Sequence, residues 1–195
     1  MNMDRRTYLV TTGAATASMV GFAGCLGGST GTLATRVTDQ PGDIGDFEEC
    51  IVTVVGMWLG PDGADSGTES GETPSEREYY EYDEPQEADL VQLQDGETQL
   101  VDERELETGT YEFLQLDTDG VDATLNDGSE ATVEVPGEAP LTFNQSFEVR
   151  ENTRTVFTAD FTPVKRGQTG SYVLQPVPDG ITVDYEGDDG TATPE

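Results

Sequence analysis

The chain has 195 residues, of which 40 are acidic, nine basic and none histidine, giving a formal charge of −31 at pH 7. That balance excludes nucleic acid as a partner, whose phosphates demand a basic face. The missing histidine excludes Ser/His/Asp and Cys/His catalysis along with the commonest zinc ligand.

The first 25 residues organise the expectations for the rest. Arg5 and Arg6 precede a diluted apolar run from Leu9 to Gly24 that ends in small residues before Cys25, the pattern of a cleavable export segment. The run is too short and too interrupted for the roughly 20 apolar residues of a membrane span. An amphipathic first helix of the folded domain is the competing reading. Asp4-Arg5-Arg6-Thr7-Tyr8-Leu9 resembles a twin-arginine motif, and Phe22-Ala23-Gly24-Cys25 resembles the lipobox of haloarchaeal lipoproteins, with Phe22 where leucine is usual. The resemblance implies that Cys25 carries lipid and becomes the mature N-terminus. The protein is then anchored to the outer face of the cytoplasmic membrane.

Removing residues 1–24 takes away one acid and two arginines, leaving 39 acidic and seven basic residues and a charge of −32. Such density opposes compaction in dilute buffer, whereas molar salt shortens the Debye length to about 3 Å and screens it. Lys165 is the single lysine against eight arginines, a halophile-like bias. Disorder is the rival reading of high charge, but 34% of residues are hydrophobic and they alternate in short runs. With Cys25 lipidated, Cys50 has no disulfide partner, and the apolar run that follows it marks it as a small buried residue rather than a reactive thiol.

In chain order, 25–31 is the lipidated cysteine and a flexible tether, 32–185 a single domain and 186–195 an acidic tail expected to be disordered. Gly31–Thr38 alternates as a half-buried strand and Asp39-Gln40-Pro41-Gly42 ends it as a turn. Residues 51–59 are apolar on both faces, as in a central strand, with Trp58 expected in the core. Residues 60–78 form a polar insertion expected to be a mobile loop. Tyr79–Tyr82 is read as a strand, Ala88–Leu93 as a short apolar stretch before an Asp95-Gly96 turn, and Glu103–Leu106 as one helical turn. Tyr111–Leu116 changes face between Phe113 and Leu114, where a bulge is expected. Val121–Leu125 and Ala131–Val135 make a hairpin across Asn126-Asp127-Gly128, and Phe147–Arg150 and Thr155–Phe161 make a second. Ser171–Val177 and Ile181–Tyr185 close the domain. About ten short strands with almost no helical period predict an all-β fold, an antiparallel β-sandwich of the immunoglobulin-like or transthyretin-like kind.

Four blocks, at 31–41, 88–116, 127–136 and 147–177, resemble the family called domain of unknown function 4382. The resemblance implies a lipid-anchored β-sandwich of the cell envelope and brings no activity or site residues with it.

Candidate sites are few. Asp117, Asp119 and Asp122 have the spacing that opens a calcium loop, but Gly128 stands where the twelfth-position glutamate belongs, and a solvated acidic turn is the plainer reading. No other metal and no cofactor is expected. Tyr79, Tyr80 and Tyr82 beside the insertion are a ligand surface or else a structural rim. Neighbouring tyrosines on a strand face opposite sides. Asn144-Gln145-Ser146 is a glycosylation sequon. The expected function is a binding or interaction module for an envelope protein or carbohydrate. The rivals are a structural envelope component without a discrete ligand and, further off, a carboxylate-based glycoside hydrolase.

Overall fold

The structure, a computed structural model, describes residues 28–39, 42–64, 66, 76–135, 140–167 and 170–187. Arg5, Arg6 and Cys25, most of the polar insertion and the acidic tail beyond Gly187 lie outside the described residues.

The strands are β1 (Thr30–Thr38), β2 (Phe47–Pro61), β3 (Glu78–Asp89), β4 (Gln99–Glu107), β5 (Gly109–Leu125), β6 (Val133–Glu134), β7 (Leu141–Phe143), β8 (Phe147–Val149), β9 (Arg154–Lys165), β10 (Tyr172–Pro176) and β11 (Thr182–Glu186). One sheet has the order β4-β1-β9-β10-β6 with β11 also on β9, and the other β3-β2-β5-β7 with β8 also on β5. The all-β sandwich expected from the strand pattern is the observed architecture. Most pairings are antiparallel, while β1 with β9 and β10 with β6 run parallel. The core between the sheets takes Leu33, Val37, Phe157 and Phe161 from the first sheet and Val52, Val54, Leu114 and Leu116 from the second. Among the described residues no helix is long and apolar enough to cross a membrane.

Strand β2 explains why Trp58 is not a core residue. Cys50, Val52 and Val54 point into the core, and Ile51 and Thr53 are half-buried on the other face. The register then slips between Val54 and Gly56 against both neighbouring strands. One inserted residue reverses the parity of everything after it. Met57 and Leu59 therefore point inward and Trp58 outward, half-buried.

Strand β5 shows no slip between Phe113 and Leu114, which pair consecutively with Gly60 and Leu59. Both are buried because the strand is covered on both faces there. Its irregularities fall instead at Glu112 and Asp119, which have no counterpart on β2. The insertion starts later than expected, since Gly60 and Pro61 continue β2 opposite Phe113 and Tyr111.

Other local expectations are corrected by partners distant in sequence. Glu103–Leu106 is extended in β4, held by β1 from Gly31↔Leu106 to Ala34↔Glu103. Ala88–Leu93 is divided between two elements: β3 ends at Asp89, whose Oδ1 accepts from Val91 N at 3.2 Å and caps a 3-10 segment, Leu90–Gly96. The turn after β5 closes as expected, with Leu125 N donating to Ser129 O at 2.9 Å, but Val133 and Glu134 then leave β5 for β10. Strands β8 and β9 are no hairpin, because β8 pairs with β5 and β9 with β1. The turn between them carries the chain from one sheet to the other.

Candidate functional site

The register of the second sheet lines up Tyr79, Trp58, Gln115 and Thr142 across β3, β2, β5 and β7. This row lies on the outer face, since Met57, Leu59, Leu114 and Leu116 fill the inner one. Gly56 makes the row possible. A Cβ there would stand 2.6 Å from the Tyr79 hydroxyl, so only glycine lets the phenol lie across β2.

The row is tied together by chemistry of several kinds. The Tyr79 and Trp58 rings are 4.4 Å apart between centroids, and the Arg77 guanidinium lies 3.9 Å from the Trp58 ring centroid, a cation–π distance. Arg77 Nη1 donates to Gln115 Oε1 at 2.6 Å, and Gln115 Nε2 donates to Thr142 Oγ1 at 2.9 Å. Gln115, only 3% exposed, thus has both ends of its amide satisfied, as a buried polar group requires. Beside it Phe113 covers Gly60, where any side chain would overlap its ring.

Tyr79 OH donates to Asp117 Oδ2 at 3.1 Å. Burial and then this carboxylate raise the phenol above its ordinary value, so at neutral pH it keeps its proton. Burial lowers Arg77, with the Asp117 charge opposing. Tyr79 is 39% exposed, and among the described residues only Leu100 joins it as an exposed large apolar side chain.

The three tyrosines of the sequence pattern do not share a surface. Tyr80 and Tyr82 point to the opposite side of β3 from Tyr79, toward the seam with β4, the neighbouring edge of the first sheet. Tyr82 is buried and Tyr80 half-buried. The Arg104 guanidinium lies 4.9 Å from the Tyr80 ring and 5.5 Å from that of Tyr82, and Asp102 grips it through two 2.6 Å hydrogen bonds. Tyr80 OH donates to Glu78 Oε2 at 2.6 Å. Burial, ahead of the neighbouring charges, raises both phenols. The groove over this seam, about 620 Å³, is lined with Glu81, Asp83, Glu84, Asp102 and Glu103.

Asp117, Asp119 and Asp122 lie along β5, a strand rather than a loop. Among the described residues no three acidic, cysteine or histidine side chains come together as a metal site. Asn144 is exposed in the connection from β7 to β8. Cys50 is fully buried and unpaired by any disulfide. Burial, then the charges of Asp39 and Asp89, push its thiol up to about 12. Sequence reasoning missed Arg77 and Gln115. No local motif marks them, and the parity change in β2 that turns Trp58 toward them leaves no trace in composition.

An all-β sandwich with an aromatic and amide row on the outer face of one sheet is the class of protein these features define. The chain matches the family described as domain of unknown function (DUF4382) over residues 30–176, from the first residue of β1 to the last of β10. It belongs to that family. No curated protein matches it.

Proposed function

We propose that this is a lipid-anchored binding module of the envelope of a halophilic archaeon, exported by the twin-arginine route and held by Cys25. Its recognition surface is the outer-face row around Tyr79, and its ligand an envelope carbohydrate. The twin arginines, the Cys25 motif and the charge of −31 support the location and the salt adaptation. The observation that carries the ligand class is the setting of Tyr79: an exposed ring with the Asp117 carboxylate and Arg77 beside it. A ring face packs on sugar C–H bonds while flanking charged groups take hydroxyls. A broad protein interface has an apolar centre, and two isolated exposed side chains do not supply one.

The test is affinity electrophoresis in native brine through gels containing envelope polysaccharide. Retardation of the wild type and its loss in Tyr79→Ala are expected; equal migration of the two with and without polysaccharide sinks the reading. A structural envelope component is the second reading, favoured by the edges of β3 and β4, each paired on one side only among the described residues. Concentration-dependent self-association in sedimentation, with no glycan binding, would support it.

A further inference from the structure

Asp160 lies buried on the far side of the first sheet, and Asp39, the residue after β1, is buried close to it. Phe157, Ala159 and Phe161 of β9 belong to the core between the sheets, so alternation turns Thr158, Asp160 and Thr162 the other way. All three are nevertheless buried. Two connections cover them. The segment after β1 brings Asp39, and Gly42 sits so close to Thr162 that a Cβ on it would stand 2.5 Å from Oγ1. The turn Pro178–Gly180 closes over Asp160: Val177 N donates to Asp160 O at 2.8 Å, and any side chain at Gly180 would overlap the Asp160 carboxylate.

Asp39 is 1% exposed and Asp160 is fully buried. Both carboxylate oxygens of Asp39 and the hydroxyl of Thr162 are shut off from solvent and, among the described residues, make no well-formed hydrogen bond, although the Thr162 hydroxyl is close enough to Asp39 to favour its ionised form. The charge that bears on Asp39 is that of another carboxylate, Asp160, and among the described residues no cationic side chain offsets it. A buried carboxylate with one poorly placed donor and no counter-charge is costly for a fold to hold. An occupant of opposite charge would relieve that cost.

We propose that Asp39, Asp160 and Thr162 bind a divalent cation of the calcium class. Every donor is a hard oxygen, which selects calcium or magnesium over zinc or copper. Two carboxylates match a charge of two. Magnesium keeps several of its waters, whereas calcium accepts an irregular shell of protein oxygens, which suits a site closed by Gly42 and Gly180. A cation here ties the end of β1, the middle of β9 and the Pro178–Gly180 turn into one unit.

The rival occupant is a proton. Without a metal, burial pushes the Asp39 carboxyl up to about 7, with the Thr162 hydroxyl opposing the rise from nearby and the Asp160 charge adding to it. The two occupants differ in what they respond to. The full chain, stripped with EDTA in 2 M KCl at pH 7.5, is unfolded by heat with and without calcium chloride. A rise of about 5–10 °C is expected at a hundredfold excess over the dissociation constant, with one calcium per chain by elemental analysis. Asp39→Asn should abolish the rise, and Thr162→Val should weaken calcium binding about tenfold. Equal calcium shifts in the wild type and Asp39→Asn overturn the site, as does a wild type that binds no calcium while Asp39→Asn is more stable at pH 8. If Asp39→Asn does not fold, unchanged calcium affinity in Thr162→Val overturns it instead.

Discussion

Both sheets bury side chains on the face turned away from their partner sheet, and they do so with opposite chemistry. On the second sheet the buried groups are Phe113 and half of Trp58, closed over by Arg77 and satisfied through Gln115 and Thr142. On the first they are Asp160, Thr158 and Thr162 with Asp39 beside them, closed over by Gly42 and the Pro178–Gly180 turn. Strand alternation decides which residues share a face, but the cover decides their energetics. Under an apolar cover, burial is favourable by itself. Under a polar cover, every charge needs a counterpart, and at Asp39 the described residues provide none.

The largest expected effect is on the apolar side. Phe113 is 1% exposed yet lies outside the core between the sheets, so Phe113→Ala measures the outer face alone. A loss of about 3–5 kcal/mol in denaturant unfolding is expected. A loss under about 1 kcal/mol would mean that the outer face is a cover without energetic weight, and the comparison would collapse to one sheet.

The polar side should answer to pH. The Asp39 carboxyl goes from an ordinary value of 3.8 to about 7 on folding, through burial first. Between those values the native state holds a proton that the unfolded chain has released. Stability is therefore full below about pH 4, falls as pH rises toward 7, and is level above it. The fall corresponds to roughly 4 kcal/mol at most. It should appear as the difference between the wild type and Asp39→Asn, measured by denaturant unfolding in chelator at fixed molar KCl, because the other carboxylates cancel in that difference. Asp160 and the Cys50 thiol are the titratable groups that share a charge interaction with Asp39. The thiol stays protonated through this range. Calcium should flatten the curve, and a curve indifferent to both calcium and the substitution would remove the contrast between the two faces.

Much of this was open to reading from the residues, and the failures share a cause. The strands at Thr30–Thr38, Tyr172–Pro176 and Thr182–Glu186 were expected within a residue or two, because alternation is a local property. Trp58 departs from the core expected for it because a single extra residue near Val55 reverses parity; Gly56 is the local hint, but an interior glycine marks a bulge or a close approach alike. Glu103–Leu106 reads as a helical turn because Glu, Arg and Leu all favour helices, while its pairing with β1 is a long-range fact. Alternation requires that neighbours among Tyr79, Tyr80 and Tyr82 face opposite sides, but only the packing of β3 beside β4 shows that Tyr79 is the exposed one. Asp39 sits in an Asp-Gln-Pro-Gly stretch whose plain meaning is an exposed turn. Only the fold reveals that Asp160, 121 positions later, is its neighbour.

A smaller effect is expected from the lid of the aromatic row. Arg77→Ala removes a guanidinium stacked on Trp58 and leaves Gln115 Oε1 without its 2.6 Å donor. A cost of about 1–2 kcal/mol follows from the cation–π contact and the orphaned acceptor together. Arg77→Lys should recover only part of it, since an ammonium cannot both stack as a plane and donate sideways. Full recovery would mean that charge alone closes this face.

The smallest expected effect separates recognition from packing. Tyr79→Phe removes only the hydroxyl that donates to Asp117 at 3.1 Å on the exposed side of the row. The ring still lies over Gly56 and against Trp58. An exposed hydrogen bond exchanges with water, so unfolding free energy should change by less than about 1 kcal/mol. Retardation by polysaccharide should fall partway, because the ring face remains while Asp117 loses the partner that orients it. Tyr79→Ala, which removes both, should abolish retardation. If the phenylalanine variant binds as the wild type does, the ring alone is the contact. If it binds no better than the alanine variant, the Tyr79–Asp117 hydrogen bond is the recognition element and the aromatic row serves to hold it in place.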